Sequence, residues 1–311
     1  MSKKILVIGS LNYDLVVYAP RHPIPGETIL GNNFLTFPGG KGANQAVAAA
    51  RLGGQVQMIG RVGQDHFGDE LLQNLQLNQV DTTFVSRTTD PTGTALITVN
   101  AQGQNSIIVI PGANATLKKQ DMEDLRSIIQ SASVVVLQLE IPLEVVTTTI
   151  DIASEAGALI LLNPAPAAQI PAETLRKVTY LIPNESELAL LTKLPTTTLE
   201  ECRQAARYLL NRGCQHIILT RGEHGACYFN HNQEIILPAI KVPVVDTTAA
   251  GDAFIGGLAT ACAEGLDLRA ALEKARAAGA LAVTKAGAQA SLPDKIELDT
   301  LLNQQKKEGE S

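Results

Sequence analysis

Residues 134–162 read VVVLQLEIPLEVVTTTIDIASEAGALILL, and this stretch decides the fold. Two uninterrupted apolar runs, 134–137 and 159–162, lie on either side of a predicted helix near 143–156. Strands that are apolar at every position belong to sheets with both faces covered. A strand, a crossover helix and a second such strand therefore predict neighbouring strands of a parallel sheet.

The same alternation continues on both sides of this unit. A helix is predicted over 117–131, a strand over 180–182, a helix over 199–212 and a strand over 216–220. The chain is therefore predicted to be an α/β protein with a doubly wound, largely parallel sheet flanked by helices. In sheets of this kind ligands bind at the carboxyl ends of the strands.

Two stretches depart from that alternation. Residues 92–99 and 105–110 have strand character and flank 100–104, whose length and turn residues are typical of a hairpin. Residues 13–18 and 28–37 are predicted to be two further strands. These four strands are expected to form a small second sheet that projects from the α/β body.

Composition limits the classes of function. The chain has 311 residues, 4% aromatic, with a net charge of −6 and no tryptophan. An acidic chain with few aromatic rings does not suit nucleic acid, and the apolar run at 5–8 is too short for a signal peptide or a membrane span. We therefore expect no nucleic-acid partner, no membrane partner and a cytoplasmic location. The cysteines lack metal-site spacing and are expected to be thiols: Cys202, Cys214, Cys227 and Cys262.

Residues 246–252 read DTTAAGD and precede an alanine-rich apolar stretch, 253–263. Small residues at the start of a helix leave N–H groups uncovered at its positive end, which favours an anion. Asp252 adds a carboxylate that can take a proton from a hydroxyl where negative charge develops on a phosphoryl group. The alternative is that Asp252 caps the helix and Asp246 begins a turn.

A glycine-rich segment lies near the N-terminus. Residues 38–46 read PGGKGANQA and open a short alanine-rich helix that ends before Gly53. The spacing is not that of a P-loop, and residues 9–14, GSLNYD, lack the dinucleotide-binding fingerprint of a dehydrogenase. The turn is instead predicted to bring backbone close to a ligand.

Together these two segments resemble the paired signatures of the phosphofructokinase-B-like carbohydrate kinases. The first runs from Gly39 through Asn44 and Gly53 to Gly63, and the second covers 246–257. Four further stretches resemble the members of that family that phosphorylate ribose: GSLNYD at 9–14, PGANA at 111–115, QLEIP at 138–142 and GAQAS at 287–291.

The resemblance implies a division of the chain. Residues 1–10, 39–90 and 112–311 would form the α/β core that binds nucleotide and sugar, and residues 11–38 and 91–111 would form a β-sheet lid. In this family the lid covers the sugar and pairs with a second subunit, so a homodimer is implied, and pairing would also protect the edges of the lid sheet.

The resemblance also implies a sugar site. Asp252 would act as the base, and the N–H groups of Ala249, Ala250 and Gly251 would stabilise the phosphoryl charge. From the residues alone, Asn12 and Asp14 offer the amide and carboxylate that a polyhydroxyl ligand needs, and an ordinary turn is the alternative. The residues implied to contact the sugar are Asn12, Asp14, Gly40, Lys41, Asn44, Glu140 and Asp252.

For the nucleotide, Asn184 and Glu187 resemble the family motif that organises Mg²⁺ and phosphates, although the same residues suit an acidic helix start. Arg276 stands near the implied adenine site, where relatives often carry Asn or His. The residues implied to bind ATP are Asn184, Glu187, Thr220, Arg221, Gly222, Glu223, His224, Gly225, Gly251 and Arg276. A K⁺ ion that activates the enzyme is implied at Asp246, Thr248, Ala282, Lys285, Gly287 and Ser291.

The reaction implied is the ATP-dependent phosphorylation of D-ribose at O5 to give D-ribose 5-phosphate. A kinase of another pentose, of deoxyribose, of a nucleoside or of a hexose is the nearest alternative. A catalytically silent sugar-binding protein is disfavoured, because Asp252 and the glycine signature are intact.

Overall fold

The computed structural model of the chain describes residues 3–309. Its strands are β1 (Ile5–Ile8), β2 (Asn12–Tyr18), β3 (Asn33–Gly39), β4 (Val56–Gly63), β5 (Asp81–Thr88), β6 (Gly93–Val99), β7 (Asn105–Ile110), β8 (Val134–Leu137), β9 (Leu159–Leu162), β10 (Tyr180–Leu181), β11 (His216–Thr220), β12 (Ala226–Phe229) and β13 (Glu234–Leu237). Its helices are α1 (Lys41–Arg51), α2 (His66–Leu77), α3 (Lys119–Asp124), α4 (Arg126–Ser131), α5 (Leu143–Glu155), α6 (Ala172–Leu175), α7 (Glu185–Thr192), α8 (Leu199–Asn211), α9 (Ala250–Glu264), α10 (Leu268–Ala282) and α11 (Lys295–Gly309).

Nine strands form the central sheet in the order β13-β12-β11-β10-β9-β8-β1-β4-β5. The run from β11 to β5 is parallel, and β12 and β13 add an antiparallel edge that the sequence pattern did not predict. A separate four-stranded sheet has the order β3-β2-β6-β7. The predicted fold class, a helix-flanked and largely parallel sheet with a small projecting sheet, is confirmed.

Alternate residues of the buried strands supply two apolar layers, because successive side chains of a strand point to opposite faces. Ile5 and Val7 of β1 belong to a core shared with α1, α9 and α10. Leu6 and Ile8 belong to the other core, shared with α5 and α8. Within residues 3–309, no helix is both long and apolar enough to cross a membrane.

Small residues allow α1 and α9 to touch, and this contact joins the two glycine-rich signatures. A Cβ atom at Gly256 of α9 would lie 2.5 Å from the Cβ of Ala48 on α1. Gly257, on the next position, meets α10 in the same way, at 3.1 Å from the Cα of Ala275. Any side chain at these glycines would force the helices apart and separate the residues at their N-termini.

Some predicted elements match the structure to the residue, and others need correction. The strands predicted at 134–137, 159–162 and 216–220 match β8, β9 and β11. The helix predicted over 117–131 is wrong as one element, because it divides into α3 and α4 at Leu125.

The strand predicted over 28–37 begins only at Asn33. Its ladder partner β2 ends at Tyr18, just before Ala19 and Pro20, and Asn33 is the residue paired with Tyr18. The residues before Asn33 therefore have no neighbouring strand with which to continue the ladder.

Candidate active site

A glycine turn brings the start of α1 into contact with the loop that follows β1. This turn has no room for side chains. Gly40 has a φ of 89°, and a Cβ atom there would lie 2.6 Å from the backbone nitrogen of Asn12. At Gly42 a Cβ atom would lie 2.6 Å from the nitrogen of Ser10, and at Gly39 it would lie 2.3 Å from Oδ2 of Asp14. The glycines thus bring α1 into contact with the polar residues on β2.

Glu140 follows β8 and collects donors from three parts of the chain. Its Oε2 accepts hydrogen bonds from Ser10 Oγ at 2.5 Å, from the backbone N–H of Lys41 at 3.1 Å and from Asn12 Nδ2 at 3.4 Å. Ser10 is fully buried and was not among the predicted site residues, although it lies in the quoted segment 9–14. Glu140 therefore joins β1, β2 and α1 at the carboxyl edge of the sheet.

Asp14 faces this cluster without a protein partner. Among residues 3–309, no donor forms a hydrogen bond with its carboxylate. Burial, followed by the neighbouring carboxylates of Glu140 and Asp252, raises the pKa of Asp14 to about 7. A partly buried acceptor with no donor of its own is suited to a ligand hydroxyl.

Lys41 supplies positive charge among these acids. Burial alone would lower the pKa of its ammonium, but nearby carboxylates, first Asp252 and then Glu140, outweigh burial and raise it. Lys41 therefore stays charged at the position where acidic groups converge.

Asp252 lies in the first turn of α9, which begins at Ala250 and so includes the end of the small-residue segment. Ala249 is the N-cap residue in the left-handed conformation, with a φ of 59°, so Asp252 does not cap the helix. Its side chain is buried, and its two oxygens accept hydrogen bonds from Asn44 Nδ2 at 3.0 Å and Gln45 Nε2 at 2.9 Å.

The N–H groups expected to bind an anion lie beside this carboxylate. The N–H of Ala250 donates to the carbonyl of Thr247 at 3.3 Å. In the described part of the chain, the N–H groups of Ala249 and Gly251 have no acceptor, and nothing lies within 4 Å of the Cβ position of Gly251. This end of α9 is open to a ligand and carries the positive end of the helix dipole.

Asn184 and Glu187 pair with each other as a capping box at the start of α7. Asn184 Oδ1 accepts from the Glu187 N–H at 2.8 Å, and Glu187 Oε2 accepts from the Asn184 N–H at 2.9 Å. Burial raises the pKa of Glu187, while the Asn184 N–H and the Lys41 charge work to lower it. The hydrogen bonds between Asn184 and Glu187 are those of an acidic helix start. The charge of Lys41 also acts on the Glu187 carboxylate.

Some polar groups of the segment 220–225, which follows β11, bind neighbouring residues of the protein. Arg221 Nε lies 2.9 Å from Glu185 Oε1, and the N–H of Thr220 donates to the Pro183 carbonyl at 3.0 Å. A Cβ atom at Gly225 would lie 2.1 Å from the carbonyl oxygen of Leu237, so this glycine serves packing against the end of β13. The members of the segment that remain exposed are Gly222, Glu223 and His224.

Arg276 lies on α10 and contacts the same end of β13. Its Nη1 donates to the Pro238 carbonyl at 2.8 Å, and burial lowers its pKa. Its buried Nε has no hydrogen-bond partner in the part of the chain that is described.

Asp246 joins the two segments implied to hold K⁺. Its Oδ1 accepts from the N–H and the hydroxyl of Thr248 at 2.9 and 2.7 Å, and its Oδ2 accepts from the N–H of Gly287 at 2.9 Å. Burial would raise the pKa of Asp246, but these hydrogen bonds hold it below its usual range. Ala282 and Ser291, on either side of Gly287 in the sequence, are buried, and the Lys285 ammonium lies 2.6 Å from Glu297 Oε1.

The open N-terminus of α9 can bind an anionic group directly beside a buried carboxylate that can accept a proton. The chain belongs to the pfkB family of carbohydrate kinases, whose family model matches residues 2–295. It is an ATP-dependent carbohydrate kinase.

Relatives agree with this assignment over almost the whole chain. The chain is 42% identical over 302 residues to the ribokinase of Bacillus subtilis (strain 168), covering 97% of this chain and 100% of that one. It is also 42% identical over 301 residues to the deoxyribokinase of Salmonella typhi, covering 96% and 98%. Among solved structures, the Arabidopsis thaliana ribokinase complexed with ribose and ATP superposes with a TM-score of 0.92 at 35% identity, covering 97% of this chain and 99% of that chain.

Proposed function

We propose that the protein transfers the γ-phosphoryl group of ATP to O5 of D-ribose, giving D-ribose 5-phosphate and ADP. The observation that carries this proposal is the position of Asp252, buried at the open start of α9 within the cluster that contains Asp14 and Lys41. The relatives named ribokinase, at 38–42% identity, support ribose as the sugar.

In this mechanism Asp252 accepts the proton of the sugar hydroxyl as that oxygen attacks the phosphoryl group. The free N–H groups of Ala249 and Gly251 then face the developing negative charge, which backbone donors stabilise without having to reorganise. Residues from the glycine turn, from β2 and from the end of β8 hold the sugar: Asn12, Asp14, Gly40, Lys41, Asn44 and Glu140.

We propose that ATP binds along the ends of α7, β11 and α10, with Mg²⁺ held near Asn184 and Glu187. Mg²⁺ binds through few carboxylates and keeps several waters, so one acidic helix start suits it, and the ion neutralises phosphate charge when bound. We propose K⁺ between the loops that Asp246 joins, because their carbonyl-rich backbone suits a large cation.

We propose that two copies pair through the four-stranded sheet. Both faces of this sheet expose large apolar side chains, which is uncommon for a surface left in water. The exposed residues are Val17, Tyr18, Phe34, Leu35, Leu96, Ile107, Ile108, Val109 and Ile110.

A cytoplasmic location is supported by four cysteines that are all free and buried.

Phosphorylation of 2-deoxyribose is the second candidate, because a relative named deoxyribokinase matches the chain at the same 42% identity. The two sugars differ by one hydroxyl, and a site built to bind that hydroxyl penalises its absence through unpaired polar groups. The choice between them therefore depends on whether the O2 hydroxyl meets a polar partner.

The test is ADP release from ATP with ribose, 2-deoxyribose, other pentoses, nucleosides and hexoses, with the product identified by ³¹P NMR. We expect ribose to give the highest kcat/KM and phosphorylation at O5. Asp252→Asn keeps the size of the side chain but removes the base, so kcat should fall by roughly 100- to 10,000-fold while sugar binding changes less. Near-wild-type turnover of that variant, or a preference for another sugar, would contradict the proposal.

A further inference from the structure

A chain of buried amides stands behind the Asp252 carboxylate. Gln45 Nε2 donates to Asp252 Oδ1 at 2.9 Å, and Gln138 Nε2 donates to Gln45 Oε1 at 2.6 Å. Gln45 Nε2 also lies 3.3 Å from Asn163 Oδ1, and Asn163 donates to the Ile182 carbonyl. These amides connect α1 and the ends of the central strands to the first turn of α9.

We propose that Gln45 is a positioning residue that holds the Asp252 carboxylate in the orientation from which it takes the proton of the sugar hydroxyl. The inference rests on the proposed sugar phosphorylation and deepens it. Gln45 is 1% exposed and lies behind Asp252, so it acts through that carboxylate rather than on the sugar.

The Asp252 carboxylate fixes the orientation of the two side-chain amides behind it, Gln45 and Gln138. An ionised carboxylate only accepts, so Gln45 must turn its NH₂ group toward Asp252 and its oxygen toward Gln138. Gln138 must then turn its own NH₂ group toward Gln45. Its Oε1 is left buried without a partner in the described part of the chain, in space that Gly9 leaves free, because a Cβ there would lie 2.0 Å away.

An unpaired buried oxygen lowers stability, and among the described residues Gln57 also has one, so this cost is not specific to the amides behind Asp252. Asn44 donates to the second oxygen of Asp252 at 3.0 Å. One hydrogen bond leaves a carboxylate free to rotate about its Cβ–Cγ bond, whereas one bond to each oxygen fixes its plane. Since Asn44 is also proposed to contact the sugar, Gln45 is the donor that remains in place throughout the reaction.

The test compares Gln45→Leu with Gln57→Leu. Gln57 forms the same kind of bond, from Nε2 to Asp81 Oδ2 at 2.5 Å, but at the start of β4, away from the carboxyl ends of the strands. For Gln45→Leu we expect kcat for ribose to fall by about 10- to 100-fold, with KM and the calorimetric Kd for ribose changing less than about threefold.

The division of the effect between kcat and KM separates positioning from packing. Loss of the Gln45 donor changes the orientation of the Asp252 carboxylate and leaves the proposed sugar contacts in place, so Gln45→Leu should lower kcat and retain KM, whereas Gln57→Leu should retain both. Gln138→Leu, which touches neither Asp252 nor the sugar, should lower kcat in the same way by a smaller factor. It also provides the test if Gln45→Leu does not fold.

An active wild-type enzyme whose Gln45→Leu variant keeps kcat, or loses kcat and KM together, would overturn the positioning role and leave the proposed function intact. Equal losses of kcat in the Gln45 and Gln57 variants would overturn it too. A wild-type protein that phosphorylates no sugar would instead contradict the proposed function.

Discussion

The raised pKa of Asp14 makes the stability of the folded protein depend on pH. Burial, then Glu140 and Asp252, raise the pKa of Asp14 to about 7. An unfolded aspartate ionises near pH 4, so between about pH 4 and pH 7 the folded protein retains a proton that the unfolded chain has lost. The free energy of unfolding contributed by this group is therefore largest at low pH and decreases as pH rises through that window.

We expect Asp14→Asn to remove this dependence. At about pH 8 the variant should be more stable than the wild type, and its advantage should shrink as pH falls toward about 4. Urea unfolding of both proteins across this range is the measurement. The same variant should raise KM for ribose by roughly 10- to 150-fold, because a buried charged acceptor is lost. Identical pH dependence of stability in the two proteins would show that Asp14 is ionised throughout.

The sequence indicated candidate residues for the site but not the side chains that contact them. Asp252 follows small residues, and Asp14 lies in a segment that opens with Gly9 and Ser10. Such small residues indicate close backbone approach. Gln45 is surrounded by Asn44 and alanines on a helix, and no local pattern says which distant element faces it. Its role depends on α9 returning against α1 some 200 residues later, which only the packed structure reveals.

At the scale of elements, the base of the four-stranded sheet is fixed by Asn114, in the turn after β7. Its Oδ1 accepts from the Leu11 N–H at 2.9 Å, and its Nδ2 donates to the Leu11 carbonyl at 3.0 Å and to Asn12 Oδ1 at 2.8 Å. Asn114 thus holds the Asn12 amide with its oxygen toward Asn114 and its NH₂ group toward Glu140.

We expect Asn114→Leu to lower the free energy of unfolding by roughly 2–5 kcal/mol, because buried groups lose their partners, and to raise KM for ribose more than it lowers kcat. Asn100→Leu is the matched control. Asn100 also makes three hydrogen bonds, in the turn at the other end of the same sheet, with Gln102 and Gln104. A KM increase of equal size in both variants would contradict a specific role for Asn114.

The loop that contains Asp246 leads directly into the open start of α9. A cation between this loop and the one around Gly287 would fix the N–H groups of Ala249 and Gly251, which must be in place before charge develops. We expect K⁺ to raise kcat/KM several-fold over Na⁺ at constant ionic strength, since screening alone can mimic the effect. Asp246→Ala should abolish the response. If the wild-type rate does not depend on which cation is present, Asp246 only holds the two loops together through its hydrogen bonds.

The strands β8, β9 and β11 were predicted to the residue, because burial leaves each of them an uninterrupted apolar run. The break at Leu125 was not, since neither glycine nor proline marks it. Four strands were not predicted: β4, β5, β12 and β13. Polar residues interrupt β4, whereas β5 and β13 are only partly buried, and β12 has only four residues.

At the scale of the whole molecule, the exposed apolar sheet predicts association. Ile107 and Ile108 are 52% and 66% exposed and point to opposite faces of β7. We expect the wild-type protein to sediment as a dimer, and Ile107→Lys or Ile108→Lys, each testing one face, to produce monomers. Lys307→Ala on α11 serves as a surface control. A wild-type monomer at micromolar concentration would contradict pairing through this sheet.

The placement of Asp14 on β2 has a consequence for the order of events in each cycle. The carboxylate proposed to bind the sugar belongs to the projecting sheet, whereas Lys41 and Asp252 belong to helices of the body. In the proposed reaction, binding of the sugar and exclusion of solvent would therefore be one equilibrium, and part of the binding free energy would go into closure. The phosphorylated product would leave only when the same contacts are released, so tighter binding of the sugar would slow the end of every turnover.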